Sequence, residues 1–356
     1  MKKLIKLLTL SAAVAMLAVP AFAQECTQEV KDGYYASFRE VRNTDQPKAY
    51  DLAKKYLACP PGEATEAQTA IINYLKKFVV AYEDATRKAK LPVLIYNEKK
   101  YPEAYALGRE ITTAEPENVK AFVDLGVNGY LVAPLKNPAL NADAIEFAKK
   151  AIALLEAGKT VQNWAPLAGK DEAMAYLNYT IGSLTLEKDP EGALKALIKS
   201  AQYETPLKKS PYTYAFIAGA YETGPYARMS EAYKVYLNKD ETPESKLALA
   251  NINQVVDRMI DGYARAVALA GNDPKFAGAK PVWNESLTTW YKYRNQSDAG
   301  MSQMVAEVLS KPLPPEPTPL TALPTPAPAA TPAAGTSGGA SPNGTAGVAP
   351  KPADKP

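Results

Sequence analysis

Two residue types bound the chemistry open to this chain. Cysteine occurs only as Cys26 and Cys59, and histidine does not occur at all. Without histidine there is no Ser-His-Asp or Cys-His nucleophile, no histidine-ligated zinc, and none of the commonest acid–base side chain. The cysteine spacing is neither a CxxC redox pair nor a zinc-ligand pattern, so no metal site is expected. A GxxxxGK[ST] phosphate loop and a GxGxxG fingerprint are also missing, and no cofactor is implied. Carboxylates remain, and a pair of them can do acid–base work unaided.

The cysteines read better as a staple. Their midpoint falls between Arg42 and Asn43, inside Val41-Arg42-Asn43-Thr44. That stretch reads as a turn, because Asp45-Gln46-Pro47 then offers a capping side chain and a proline suited to a first helical turn. In an antiparallel helical hairpin, residues equidistant from the turn lie side by side. The spacing therefore predicts a Cys26–Cys59 disulfide clamping the open end of the first hairpin.

A disulfide needs an oxidising compartment, and the first residues supply a route to one. Lys2, Lys3 and Lys6 form a basic start, Leu7 to Val19 an apolar run, and Ala21-Phe22-Ala23 an A-x-A site. Residues 1–23 read as a signal peptide cleaved after Ala23, which makes the mature protein periplasmic or secreted. The apolar run is too short to span a bilayer, so no stable membrane insertion is expected after cleavage. The chain carries 41 basic and 38 acidic side chains. Three of the basic ones belong to the leader, so the mature side chains balance. A balanced, interleaved surface does not suit nucleic acid, which needs a basic stripe.

The elements that would position any site are helices. Asp189-Pro190, Ser210-Pro211 and Thr242-Pro243 each place a capping residue before proline, and Thr65-Glu66-Ala67-Gln68 has the form of a capping box. Apolar residues recur at helical steps, as in Ile71, Leu75, Phe78, Val79 and Tyr82, and again from Leu247 to Tyr263. Leu91 to Tyr96 is ambiguous: Pro92 makes it a kinked helix or a packed loop. Small alanines are followed about a dozen residues later by a stopping proline: Ala49 to Pro61, Ala104 to Pro116, Ala193 to Pro206, Ala232 to Pro243.

Tyr101 to Tyr130 resembles a tetratricopeptide repeat. Ala104 stands early in a second helix, Pro116 closes it, and Phe122, Leu125 and Gly126 open the next first helix. Thr180-Ile181, Leu184, Asp189 to Ala193 and Leu197 look like a weaker copy. The resemblance implies an all-α α-solenoid of stacked antiparallel hairpins over residues 24–310, whose open groove holds a protein or peptide partner. The spacing of successive alanines departs from the family's constant period, so a divergent solenoid is the structural alternative.

Glu285-Ser286, followed by Gly300-Met301-Ser302-Gln303, is similar to the Glu-Ser and Gly-Leu-Met-Gln elements of lytic transglycosylases. That resemblance implies an alternative, a cell-wall glycan lytic enzyme with Glu285 as acid. Ser302 breaks the second element, and too little chain follows for the lysozyme-like fold. A small-ligand or glycan-binding uptake component is a third reading, and an enclosed apolar pocket would favour it. The leading expectation is an exported scaffold without catalysis. Tyr212, Tyr214, Tyr221, Tyr226, Tyr233 and Tyr236 read mainly as packing between helices, and Trp283 and Trp290 as a cap on the terminal helices. Trp164 reads as an exposed loop anchor. Residues 311–356 hold 13 of the 30 prolines among Ala, Thr, Gly and Ser, a composition that predicts a disordered tail.

Overall fold

Capping residues set where most of the helices begin. A computed structural model describes residues 26–59 and 64–323; the leader expected over residues 1–23, Pro61 and the tail beyond residue 323 lie outside the described residues. Among the described residues the regular structure is helical and no strand occurs. The chain forms two compact units, which divide after Lys90.

The first unit contains α1 (Gln28–Val41), α2 (Gln46–Ala58) and most of α3 (Glu66–Pro92). Asp45 caps α2 by accepting from the Lys48 amide at 3.1 Å, so the turn falls where the sequence places it. Thr65 and Gln68 form the reciprocal capping box, with the Thr65 amide donating to Gln68 Oε1 at 2.9 Å. Cys26 and Cys59 are bonded, with Cα atoms 5.4 Å apart. The enclosed core is small: Phe38, Ala49, Ala53, Tyr56 and Leu75. Phe78 meets Phe38 edge-on at 4.9 Å between ring centroids.

The second unit opens on a π turn, Val93–Asn97, continuous with α3. The ambiguous Pro92 stretch is therefore helical, with Leu94 and Ile95 buried. There follow α4 (Tyr101–Ala114), α5 (Val119–Val127), a 3-10 turn at Gly129–Leu135, α6 (Pro138–Glu156), α7 (Lys170–Thr185) and α8 (Pro190–Gln202). Then come α9 (Pro211–Tyr221), a second π turn at Glu222–Tyr226, α10 (Ala227–Tyr233), α11 (Pro243–Ala270), α12 (Lys280–Asn295) and α13 (Met301–Glu307). From α4 to α9 each helix packs on the next, and α11 takes both α9 and α12. Glycines allow the close approaches: a Cβ on Gly126 would meet Leu177 Cδ2 at 2.5 Å and the Ala148 Cα at 2.9 Å.

The alanine markers divide. Ala49, Ala104 and Ala193 are fully enclosed, but Ala232 is exposed on α10, a helix with no buried residue. The chain passes from α9 through Gly224-Pro225 into α10 by the wide π turn, so this stretch continues one helical run rather than starting a hairpin. Trp283 and Trp290 do seal the end of the unit: Tyr212 lies edge-on to Trp283 at 5.2 Å and Tyr226 to Trp290 at 4.6 Å. Trp164 is half-buried against the α4–α7 core rather than projecting as a free anchor.

Candidate functional site

Helix α11 is long enough to carry several polar side chains on one line of its surface. Asn251, Arg258 and Arg265 stand seven residues apart, which drifts by only about 20° per step around the helix. All three donate to the backbone of residues 311–320, a stretch that composition alone assigns to the disordered tail. The ordered chain thus continues past residue 310 as an extended strap over residues 311–323.

The strap's contacts follow its own sequence. Arg265 Nη2 donates to the carbonyls of Lys311 at 3.0 Å and Pro312 at 2.8 Å. Arg258 Nε donates to the Pro315 carbonyl at 2.6 Å. Asn251 meets the Leu320 backbone twice, giving its Nδ2–H to the carbonyl at 3.2 Å and taking the amide at 2.7 Å. The strap therefore runs antiparallel to α11. From Asn251 to Arg265 the helix rises about 21 Å, and Pro312 to Leu320 spans about 25 Å at the polyproline II rise. The two lengths agree well enough for one to lie along the other.

Pro314, Pro317 and Leu320 turn inward at every third position, as does the neighbouring Leu313; Pro315, Glu316, Thr318 and Pro319 face solvent. A period of three is that of a polyproline II strand. Leu313 packs against the core shared by α7, α8, α9, α11 and α12.

Arg265 is the most constrained of the three donors. Its side chain is 5% exposed, so its charge needs partners. Asp261 supplies them, accepting from Nε at 2.7 Å and Nη2 at 3.3 Å, and the Tyr214 ring lies 5.8 Å from the guanidinium carbon. Nη2 also donates to the strap carbonyls of Lys311 and Pro312.

Beside the strap lies a cavity of about 210 Å³, bordered by Lys195 of α8, Tyr221 of α9, Arg228 and Met229 of α10, Val255 of α11 and Glu316 of the strap. It is smaller than the roughly 300–1,000 Å³ usual for small-molecule pockets. Burial pushes the Tyr221 hydroxyl up to about 12, and the Glu316 charge adds to the shift. A second concavity of about 410 Å³, open and lined by Phe78, Ala81, Tyr82 and Ala85, lies in the first unit.

The other sequence-derived candidates resolve differently. Glu285 is exposed on α12, outside any apolar enclosure. Gly300 serves as the N-cap of α13, with the Tyr291 hydroxyl donating to the Ala299 carbonyl beside it. Of the tyrosines, Tyr214, Tyr221 and Tyr226 are buried, whereas Tyr212 is 39% exposed. A buried polar cluster that the sequence did not single out joins α5 to the first π turn. Asp124 Oδ1 accepts from Tyr96 Oη at 2.9 Å and Lys120 Nζ at 2.5 Å, and Lys120 also donates to the Ala165 carbonyl. Every member is paired, and the cluster ties α5 to its neighbours. Among the described residues no helix is long and apolar enough to cross a membrane.

Comparisons with protein-family models, with curated proteins and with solved structures give no match to this chain. The groove on α11 rests on its own geometry.

Proposed function

We propose that this protein is an exported helical scaffold, built from divergent tetratricopeptide-like hairpins, that binds an extended polypeptide of a partner protein along α11. The observation that supports the reading is the strap itself, a peptide held lengthwise by side-chain bonds to its backbone. Backbone bonds with pockets for alternating side chains are how extended ligands are generally recognised. The adjoining cavity is too small for most organic ligands, which favours a polypeptide over a small solute. Export to the periplasm or beyond is supported by the leader pattern and is compatible with the Cys26–Cys59 bond.

The test uses the full chain with Leu313→Asp and Leu320→Asp, which puts charge at the strap's two part-buried leucines and frees the groove. A library of random 15-residue peptides is panned against it. Enrichment that disappears in the same chain carrying Asn251→Ala supports the reading. Failure to enrich any peptide refutes it.

A further inference from the structure

The groove's donors and acceptors specify which peptides suit it. Over residues 311–315 every hydrogen bond from the groove side chains runs to a strap carbonyl: Arg265 to Lys311 and Pro312, Arg258 to Pro315. An arginine side chain has five N–H donors and no acceptor. At Lys311, Pro312 and Pro315 the strap is held through its carbonyls. Proline has a carbonyl and no N–H. The two inward positions of the central strap, Pro314 and Pro317, are both proline. Asn251, by contrast, offers an acceptor as well as a donor, and there the strap presents Leu320, a residue with an N–H.

Conformation gives the same answer. Inward positions at 314, 317 and 320 need three residues per turn, and proline pre-sets that geometry, so little chain entropy is lost on docking. The outward Glu316 borders the same cavity as Lys195, Glu191 and Arg228, and there Arg228 is already paired with Glu191 at 2.8 Å.

Building on the polypeptide-groove reading, we infer that the groove of Asn251, Arg258 and Arg265 recognises a proline-rich extended segment of a partner protein, and that the strap is its tethered competitor. The strap follows α13 through the 3-10 turn Val308–Ser310 with no intervening linker, so it meets the groove at high effective concentration. A partner segment must displace it, and the measured affinity is the intrinsic one multiplied by the fraction of time the strap is unseated.

The probe is a fluorescein-labelled peptide of residues 311–323, read by anisotropy against three full-length chains: wild type, Leu313→Asp/Leu320→Asp, and Leu320→Asp alone. The last releases only the distal end and leaves Leu313 in its core contact, so a folding defect in the double variant does not decide the outcome. Circular dichroism reports folding of each. The released chains should bind the peptide at least tenfold more tightly than wild type. Replacing its residues at positions 314 and 317 by alanine should weaken binding several-fold, since alanine neither pre-sets the three-residue turn nor fills the two inward positions. Arg258→Ala in a released chain should weaken it several-fold. Equal binding of the proline and alanine peptides overturns the inference while leaving the polypeptide reading intact. The same division follows if the strap peptide fails to bind folded released chains that still enrich other peptides from the library. A wild-type chain that dimerises with concentration, by light scattering, and loses the dimer in the double variant would assign the groove to a second copy's strap, which also overturns it.

Discussion

Loss of the Cys26–Cys59 bond should unfasten the first unit and leave the second intact. The bond closes a loop of 33 residues. On the chain-entropy model, a loop of that length removes about 12.5 cal/mol/K from the unfolded chain, or about 3.7 kcal/mol at 25 °C. The unit has little else of that size. Its enclosed core holds three large side chains, Phe38, Tyr56 and Leu75, with two alanines. Each large side chain contributes about 1.5–3 kcal/mol by burial, so the bond outweighs any one of them. The assay is hydrogen exchange by mass spectrometry on the full chain, wild type against Cys26→Ala/Cys59→Ala. Amides of α1 and α2 should lose protection on the order of several hundredfold, since each 1.4 kcal/mol is tenfold. Amides of α11 should not change. Trp164, Trp283 and Trp290 all belong to the second unit, so the urea transition seen by tryptophan fluorescence should also stay in place. Unchanged protection in α1 and α2 would refute the entropic argument. Equal loss in α11 would refute the independence of the two units.

Gly126→Ala should destabilise by about 1–3 kcal/mol, because its Cβ collides with the Ala148 backbone and helices α5 and α6 must separate. Gly33→Ala, in α1 where an added Cβ would meet nothing within 4 Å, should instead stabilise by about 0.5–1 kcal/mol; urea unfolding followed by circular dichroism compares the two, and effects of the same sign would contradict the packing argument. Thr242→Ala removes the side chain that accepts from the Ser245 amide at the start of α11 and should cost about 1 kcal/mol, read as increased exchange in the first turn of that helix. Burial holds the Asp124 carboxyl above its ordinary value, against the opposing pull of Lys120 and Tyr96. A raised folded-state value means this group's contribution is complete below the unfolded pKa of about 3.9 and is lost as pH rises through the folded one. The stability of wild type minus Asp124→Asn should therefore fall with rising pH across that window and then level, and a difference that rises instead would show the Lys120 pair outweighing desolvation.

Local signals carried the fold and non-local ones carried the groove. Helix starts were legible because a cap is a contact within three residues: Asp45 with Lys48, Asp189 with Gly192, Thr242 with Ser245. The disulfide was legible because a hairpin with a known turn fixes which residues face each other. Pro92 left its stretch ambiguous because it adjoins a π turn, whose wider spacing accommodates a residue without an N–H; Pro225 sits inside a second one. Ala232 misled because a small residue marks a close approach only where another helix arrives, and none covers α10 there.

The strap escaped a reading by composition for a related reason. A proline-rich segment has little apolar mass, and composition says correctly that it cannot form a core of its own. It docks because its ordering cost is already small and because α11 supplies what the segment lacks, donors for carbonyls that proline leaves without sheet partners. The sequence held one trace of this. Arg265 sits in Tyr263-Ala264-Arg265-Ala266-Val267, all of it buried, where an arginine would be costly without a carboxylate and further acceptors. Asp261 is one turn away and meets half of that need. The other half comes from the carbonyls of Lys311 and Pro312, where the proline-rich stretch begins.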